Sequence, residues 1–324
     1  MNKPITIIQN MFKKFIFISL ILIQLQDCET ESEEFINNRK DDAVLLNIDL
    51  PGSIQNPAFS PDGKTIVFTH FRNGYNAPPS DLYTFNLETH ELKPLMVDGN
   101  SNVNLPGTCW NASVNSIVFS SDKEPHDEIY IISDTGLSGD EVRITKRKDR
   151  MAFEPTFSPD GKWIVFESHK LDEEKNGVIT KYKHDGTSDF INLTKPGEDC
   201  RQPNWSPAGD KILYQKKEKS QWDIWIMNTD GSEKKKITNF NGNKTDAVFT
   251  PDGQNIIFSL ENENIELSDI CKISLSDNVL IKLTDFDGYE GAPAISPDGS
   301  KLIFESSAID PDKSEGTTLW LLDL

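Results

Sequence analysis

The sequence contains few cysteines and too little positive charge to balance its acids. Its four cysteines, Cys28, Cys109, Cys200 and Cys271, are spread over 324 residues. This spacing matches neither the disulfide framework of a small secreted domain nor a paired CxxC zinc site, so we predict that the last three are buried free thiols. Lys and Arg number 33 against 52 Asp and Glu, for a formal net charge of −19. A chain of this charge repels phosphate backbones, which excludes nucleic acid as a partner.

Signatures of common catalytic sites are also missing. No Gly-x-Ser-x-Gly motif occurs, which excludes a serine hydrolase built on a nucleophile elbow. Asp134-Thr135-Gly136 spells the aspartic-protease triplet, but it falls in a predicted turn, where Asp and Gly are expected. Residues 310–316 resemble a calcium loop, yet Gly stands at the seventh position and the twelfth-position Glu is absent, so we predict a solvated loop. We therefore predict no catalytic residue, no metal and no cofactor.

The first residues are typical of an export signal. Lys13 and Lys14 precede an apolar run, residues 15–25, that is too short for a comfortable membrane-spanning helix and matches a secretory signal. The run leads to Cys28 in a sequence that resembles the lipobox of bacterial lipoproteins, although Gln26 and Asp27 stand where small residues are expected. Acylation of Cys28, simple cleavage and a retained signal anchor are the alternatives.

These features define the N-terminal organisation. We predict a signal over residues 1–28, followed over residues 29–42 by a polar, acid-rich tether that buries too little apolar surface to order itself. The protein is expected to be exported, either to the periplasm or to the outer membrane as an anchored lipoprotein.

A turn sequence recurs along the rest of the chain. Pro57-Ala-Phe-Ser-Pro-Asp-Gly-Lys64 returns near residues 155, 203, 248 and 293, with a degenerate copy at residues 109–115. An aromatic or apolar marker residue precedes each turn, every 44 to 51 residues: Phe59, Trp110, Phe157, Trp205, Phe249 and Ile295. Ser-Pro-Asp-Gly favours a type I turn with Gly in the left-handed region. An unbroken apolar triplet such as Ile66-Val67-Phe68 follows each turn and indicates a strand covered on both faces.

Six such repeats predict an all-β fold, a six-bladed β-propeller of four-stranded antiparallel blades over residues 43–324. The sixth repeat ends with its third strand at residues 319–324, and residues 43–49 form a strand without a partner in their own repeat. We predict that this N-terminal strand completes the last blade, which closes the ring and removes an exposed sheet edge.

The Pro-x-Trp/Phe-Ser-Pro-Asp-Gly-Lys turn, the Ile-Val-Phe strand and the Leu-Thr ending of the outer strand resemble the TolB-type (WD40-like, PD40) propeller repeat. This repeat is found in exported bacterial proteins and in propeller domains of some peptidases. The resemblance covers residues 43–324, and five of the six turns carry it. We expect no room for the additional domain that precedes the propeller in TolB. The resemblance implies the fold but leaves the function open, because the scaffold hosts binding modules, enzyme gatekeepers and lyases.

The segments leading into the innermost strands are the candidate binding site, because in a propeller they surround one mouth of the central channel. Six polar residues there are proposed to contact a ligand: Glu154, Asp199, Arg201, Asp246, Glu290 and Gln55. Converging carboxylates create a negative potential suited to a cationic group, a metal or a basic peptide tail. The alternative is that a chain with a net charge of −19 places acids on any rim.

Three further residues are weaker candidates. Resemblance to the propeller-type oligogalacturonate lyases would require a manganese site of several His plus Gln in the channel. His70 and His169 follow equivalent strands of blades one and three, but two histidines are too few for that site without help, and a surface or loop role is the alternative. Trp222 flanks the third strand of blade four, where it either contacts a ligand or packs within the blade.

Two functions follow from these residues. The first is an exported, monomeric, non-catalytic binding or scaffold protein whose rim or channel mouth docks a protein or cell-envelope ligand, with a cationic group favoured by the acids. The alternative is a carbohydrate-active lyase or hydrolase that uses the channel acids, with or without a metal. An enzyme needs an acid and a base that converge on one point, whereas carboxylates on separate blades without a basic partner favour binding.

Overall fold

The computed structural model describes residues 36–37, 42–105, 109–261, 268–286, 288–307 and 316–324. The predictions for the signal, for Cys28, for most of the tether and for residues 310–315 lie outside these residues. Within them, no helix has the length and apolar character needed to cross a lipid bilayer.

The described strands, numbered in chain order, form six sheets, and strands of successive sheets contact one another around the ring. Blade 1 contains β3 (Ser53–Phe59), β4 (Thr65–Phe71), β5 (Ser80–Asn86) and β6 (Leu92–Met96). Blade 2 contains β7 (Val103–Asn104), β8 (Trp110–Asn111), β9 (Ser116–Ser121), β10 (Glu128–Ser133) and β11 (Val142–Arg143). Blade 3 contains β12 (Arg150–Phe157), β13 (Trp163–Lys170), β14 (Glu173–Lys183) and β15 (Ile191–Asn192).

The second half of the chain continues the pattern. Blade 4 contains β16 (Cys200–Trp205), β17 (Lys211–Glu218), β18 (Gln221–Asn228) and β19 (Lys235–Lys236). Blade 5 contains β20 (Asn243–Phe249), β21 (Asn255–Glu261), β22 (Ser268–Ser274), β23 (Leu280–Lys282) and the added β1 (Ile36–Asn37). Blade 6 contains β24 (Glu290–Ile295), β25 (Lys301–Ser306), β26 (Thr318–Asp323) and β2 (Val44–Leu45). The predicted six-bladed all-β propeller is therefore confirmed.

The predicted ring closure is also confirmed. β2 pairs antiparallel with β26, with Val44 opposite Leu321, and the Leu46 N–H donates to the Leu319 carbonyl at 2.9 Å. The strand is shorter than the predicted segment, because the chain turns after Leu46 and the Ile48 N–H donates back to the Leu46 carbonyl at 3.0 Å. The last blade thus takes its outer strand from the N-terminal part of the chain.

Two blades depart from four simple strands. In blade 2 the innermost strand is split into β7 and β8, at the repeat whose turn sequence is degenerate. In blade 5, β1 adds in parallel to β23, with Ile36 opposite Ile281. This strand lies within the stretch predicted as a tether. A sheet edge offers free backbone groups to a passing segment whatever its side chains, so composition gives little warning of such pairing.

The repeated turns and triplets behave as predicted. In the first turn, Gly63 has φ of +72° and its N–H donates to the Ser60 carbonyl at 2.9 Å. The side chain of Ser60 donates to Asp62 Oδ1 at 2.6 Å and accepts the Thr65 N–H at 2.9 Å. All six apolar triplets are buried between blades.

The cysteine prediction is confirmed for the described thiols. Cys109, Cys200 and Cys271 are buried free cysteines that form no disulfide with one another. Burial raises the pKa of the Cys200 and Cys271 thiols to about 12, so both stay protonated and unreactive near neutral pH.

Candidate binding site at the channel mouth

One position in five of the six innermost strands directs its side chain into the central channel. It lies three residues before the marker residue, and in five blades its backbone is left-handed, with φ between 45° and 54°: Asn56, Glu154, Gln202, Asp246 and Ala292. The pairing of the innermost strand with the second strand shifts register at each of these positions. A bulge leaves its residue outside the ladder and re-aims the side chain. These five side chains line a constriction of the channel with a volume of about 30 Å³.

Hydrogen bonds between blades hold the constriction. Asn104 accepts from Asn56 Nδ2 at 2.7 Å and donates to Glu154 Oε1 at 2.7 Å. Between blades 4 and 5, Gln202 Nε2 donates to Asp246 Oδ1 at 2.8 Å. The polar side chains are therefore fixed by neighbouring blades.

Acids and amides from one blade also satisfy the bulge N–H groups of the next. The Asn56 N–H donates to Glu305 Oε2 at 3.0 Å, and the Gln202 N–H donates to Glu167 Oε2 at 2.9 Å. The Asp246 N–H donates to the side-chain carbonyl of Gln202 at 3.0 Å. Glu167 and Glu305 occupy equivalent positions, directly after the apolar triplets of their repeats. Blade 6 thereby brings a carboxylate, Glu305, to the channel-mouth cavity, whereas Glu167 of blade 3 holds the bulge of blade 4.

Above the constriction lies the channel-mouth cavity, with a volume of about 400 Å³. Its lining combines four carboxylates with four aromatic rings: Asp127, Glu154, Asp246, Glu305, Phe71, Tyr75, Phe153 and Tyr289. Side-chain amides contribute the rest of its polar surface: Gln55, Asn56, Asn76, Asn102, Asn104 and Gln202. Among the described lining residues there is no Lys, Arg or His.

The crowding of carboxylates changes their protonation. Burial, reinforced by the charges of Glu167 and Asp246, raises the pKa of Glu154 well above its ordinary value. Burial is also the main cause for Glu305, whose pKa rises to about 8 with a contribution from Asp246. The pKa of Asp127 rises to about 6, through burial and the neighbouring Asp122. Protons therefore occupy part of this cavity at neutral pH, and a bound cation would compete with them.

Two tyrosines from different blades meet at the cavity wall. The rings of Tyr75 and Tyr289 lie edge to face with centroids 5.9 Å apart. Tyr75 is 47% exposed, whereas burial and the charge of Glu305 raise the pKa of Tyr289. A hydrogen bond with Tyr289 opposes the pKa rise of Glu305. The tyrosines connect the acidic interior with the surface.

The structure brings only some of the six predicted rim residues together. Glu154, Asp246 and Gln55 line the cavity. Asp199 and Arg201 pair with each other at 3.2 Å, and the Arg201 guanidinium lies 5.1 Å from the ring centre of Trp222. These three residues, all from blade 4, are not among the residues that line the cavity.

Glu290 is placed differently again. It is fully buried and accepts a hydrogen bond from Thr284 Oγ1 at 3.1 Å. Burial and the charge of Asp269 raise its pKa to about 8. Glu290 lies five positions before its marker residue and is not among the residues that line the constriction or the channel-mouth cavity.

The two candidate histidines do not converge. His70 lies two residues after its apolar triplet and His169 lies three residues after its own, so they face opposite sides of their blades. His70 Nε2 donates to the Pro51 carbonyl at 2.5 Å, and His169 Nε2 lies 3.1 Å from Glu167 Oε1. Within the described part of the chain, no group of three or more His, Cys, Asp or Glu is arranged to hold a metal ion.

Comparison with known proteins agrees with the repeats. Residues 173–309 match the family model of the PD40, TolB beta propeller domain. The chain is 30% identical over 163 residues to the Tol-Pal system protein TolB of Francisella tularensis subsp. mediasiatica (strain FSC147), which covers 50% of this chain and 35% of that protein. The chain thus spans about a third of the length of this relative.

Solved structures extend the similarity over most of the propeller. A putative TolB from Agrobacterium tumefaciens superimposes with a TM-score of 0.64 at 18% identity, over 84% of this chain and 91% of that one. An oligogalacturonate lyase in complex with manganese gives a TM-score of 0.59 at 12% identity, over 88% and 98%. Identities this low show the fold alone. Residues 173–309 thus match the TolB-type propeller domain, and the solved structures show the same fold over most of the chain, as the repeats predicted.

Proposed function

We propose that the protein is an exported, non-catalytic binding protein whose channel-mouth cavity takes up a cationic group of a protein or cell-envelope ligand. The observation that carries this proposal is the lining of the cavity, where four carboxylates and four aromatic rings meet without a basic side chain among the described residues. Carboxylates attract an ammonium group, and aromatic faces stabilise it further when water is excluded. A cavity of about 400 Å³ has room for a lysine side chain or an amino terminus.

The distribution of the acids supports binding over catalysis. The cavity carboxylates come from four blades, with Asp127 from blade 2, Glu154 from blade 3, Asp246 from blade 5 and Glu305 from blade 6. General acid–base catalysis needs a proton donor and a proton acceptor around one reacting point, with environments that separate their pKa values. Here burial is the main cause that raises the pKa of Asp127, Glu154 and Glu305. The pKa values of these three acids are therefore shifted in the same direction, whereas an acid and a base would need shifts that separate them.

Export belongs to the same proposal. It is supported by Lys13, Lys14 and the apolar run after them, and by similarity to a Tol-Pal system protein. The periplasm is the proposed location, with outer-membrane anchoring if Cys28 is acylated.

Calorimetric titration with a tetralysine peptide tests the cavity. We expect saturable binding to the wild-type protein, and at least tenfold weaker binding to Asp246→Asn and to Glu154→Gln. The matched control is Asp252→Asn, which removes one charge from an exposed turn away from the cavity. If Asp252→Asn weakened the binding equally, the binding would be non-specific charge attraction, and the proposed cavity site would be contradicted. Stoichiometric manganese in the purified protein, or cleavage of oligogalacturonate, would instead favour the lyase alternative.

A further inference from the structure

A second charged feature lies where the chain passes from blade 2 into blade 3. Arg147 Nη1 and Arg150 Nε both donate to Ser168 Oγ, each at 2.8 Å, and Arg150 Nη2 donates to the Ser168 carbonyl at 3.1 Å. Two guanidinium groups therefore share one hydroxyl oxygen. Burial, followed by the charge of Arg150, lowers the pKa of the Arg147 guanidinium.

Among the residues that the structure describes, neither guanidinium has an acidic partner, although the chain has many more acids than bases. The other arginines of the described residues are paired, Arg72 with Asp81, Arg143 with Glu128 and Arg201 with Asp199. Within the same residues, no carboxylate lies at ion-pair distance from Arg147 or Arg150.

The neighbouring acids do not neutralise the pair. Glu128 is buried and accepts from Arg143 Nη2 at 2.7 Å, from Thr145 Oγ1, and from the backbone N–H of Arg147 at 3.0 Å. Asp149 is exposed and acts on Arg147 only through its charge at longer range. Within the described part of the chain, the two guanidinium groups thus lie adjacent without an ion-pair partner.

The pair is held in place on more than one side. The Arg147 guanidinium lies 4.7 Å from the ring centre of Phe190, which stacks on Tyr182 with centroids 4.2 Å apart. Ser168 is fully buried, whereas both arginines are partly exposed. A guanidinium has five N–H donors, so each arginine keeps donors beyond those bonded to Ser168.

We propose that Arg147 and Arg150 form an oxyanion site that binds a carboxylate or a phosphate group. The planar forks match both groups, and an anion placed between the two cations removes their mutual repulsion. Because Ser168 and Phe190 already fix the guanidinium groups, binding orders little additional side-chain structure. The site shares no residue with the channel-mouth cavity, so it stands independently of the cation proposal.

NMR of the arginine Nε–Hε groups tests this site, with inorganic phosphate and glutarate titrated separately at ionic strength held constant with sodium chloride. We expect saturable shifts of the Arg147 and Arg150 signals with at least one of the two probes. A tenfold preference for phosphate would identify a phosphate ligand, and the reverse preference a carboxylate ligand. Shifts that grow linearly without saturation for both probes would overturn the proposal.

Variants separate a built site from general basicity. Arg147→Gln should weaken the binding seen at Arg150 at least tenfold, and Arg147→Lys, which keeps the charge but loses the planar fork, should also weaken it. Lys148→Gln is the matched control, because it removes an exposed positive charge from the same segment. Equal affinity in Arg147→Lys, Lys148→Gln and the wild type would contradict an oxyanion site formed by the two guanidinium groups.

Discussion

At the scale of single residues, the third position before each marker residue determines the chemistry of the channel. Asn56, Glu154, Gln202, Asp246 and Ala292 share a left-handed backbone and a register shift, but differ in charge and size. A non-glycine residue in this region costs of the order of 1–3 kcal/mol, and such strain concentrates at functional sites. A substitution at this position therefore changes the charge or width of the channel, while the apolar triplet in the neighbouring strand stays packed.

The protonation of Glu305 predicts a measurable effect of pH on stability. Its pKa is about 8 in the folded protein and near 4.5 when exposed, so folding takes up a proton at pH values between about 4.5 and 8. Stability from this group is full below about pH 4.5 and is lost as the pH rises to 8. Urea unfolding at pH 5 to 8 should show a decline that is shallower in Glu305→Gln. The difference should reach up to about 1.4 kcal/mol per pH unit, the value for one proton.

The control for this prediction is Asp298→Asn, in an exposed turn. Hydrogen bonds lower the pKa of Asp298 to about 2, and the largest contribution comes from the side chain of Ser296. The stability that Asp298 contributes is therefore lost only as the pH falls toward 2. We therefore expect this variant to leave the slope between pH 5 and 8 unchanged. An unchanged slope in Glu305→Gln as well would show that Glu305 does not hold a proton in this range.

The sequence analysis identified part of the cavity lining and also named residues that lie outside it. Glu154 and Asp246 stand at the bulge, so counting from the turn finds them. Gln55 and Arg201 both lie four residues before their markers, yet only Gln55 lines the cavity, so the position in the repeat does not decide by itself which side chain reaches it. Asp199 and Glu290, six and five residues before theirs, also lie outside the lining.

Other cavity residues carried a weaker signal or none. Glu305 was missed, but its position directly after an apolar triplet is the same as that of Glu167. Aligning the repeats beyond the triplet would have found both. Tyr75 and Tyr289 come from loops that do not repeat, so no periodic signal marks them.

At the scale of elements, the turns keep their hydrogen bonds even where the sequence departs from the repeat. In blade 4, Ala208 replaces the usual Asp, and Ser206 Oγ donates to Asp210 Oδ1 at 3.0 Å instead. Ser206 Oγ still accepts the Lys211 N–H, also at 3.0 Å, so the turn is retained. The repeat pattern therefore predicted the strand order even for an imperfect copy. It could not predict β1, whose pairing depends on backbone groups at an edge.

Closure of the ring depends on a short strand, and one hydrogen bond tests its contribution. Leu46→Pro removes the N–H that donates to Leu319, and we expect it to destabilise the protein by about 1–3 kcal/mol. The adjacent Asn47→Pro is the matched control. Asn47 lies at the centre of the turn closed by Ile48 and Leu46, where a negative φ suits proline. Its N–H donates no backbone hydrogen bond to any residue that the structure describes.

Chemical denaturation of the two proline variants measures this contribution. Equal loss of stability in both would indicate a general effect of proline in this segment. A loss confined to Leu46→Pro would assign the effect to the bond between the first and last strands of the ring.

At the scale of the whole molecule, a strongly acidic chain closes into a ring and directs carboxylates from several blades toward one opening. Length, repeat period and the unpaired terminal strand were enough to predict this architecture, because closure requires every strand to have a partner. They were not enough to predict function, because a putative TolB and an oligogalacturonate lyase in complex with manganese share the fold. The function has to be argued from the cavity.

The central claim is that a cation displaces protons from the channel-mouth cavity. Calorimetry of tetralysine binding at pH 7, repeated in buffers of different ionisation enthalpy, measures this displacement directly. Because burial raises the pKa of Glu305 to about 8, this group is protonated at pH 7, and we predict that binding releases protons and that Glu305→Gln reduces the number released. A binding heat that is the same in every buffer, or no binding at all, would contradict the account.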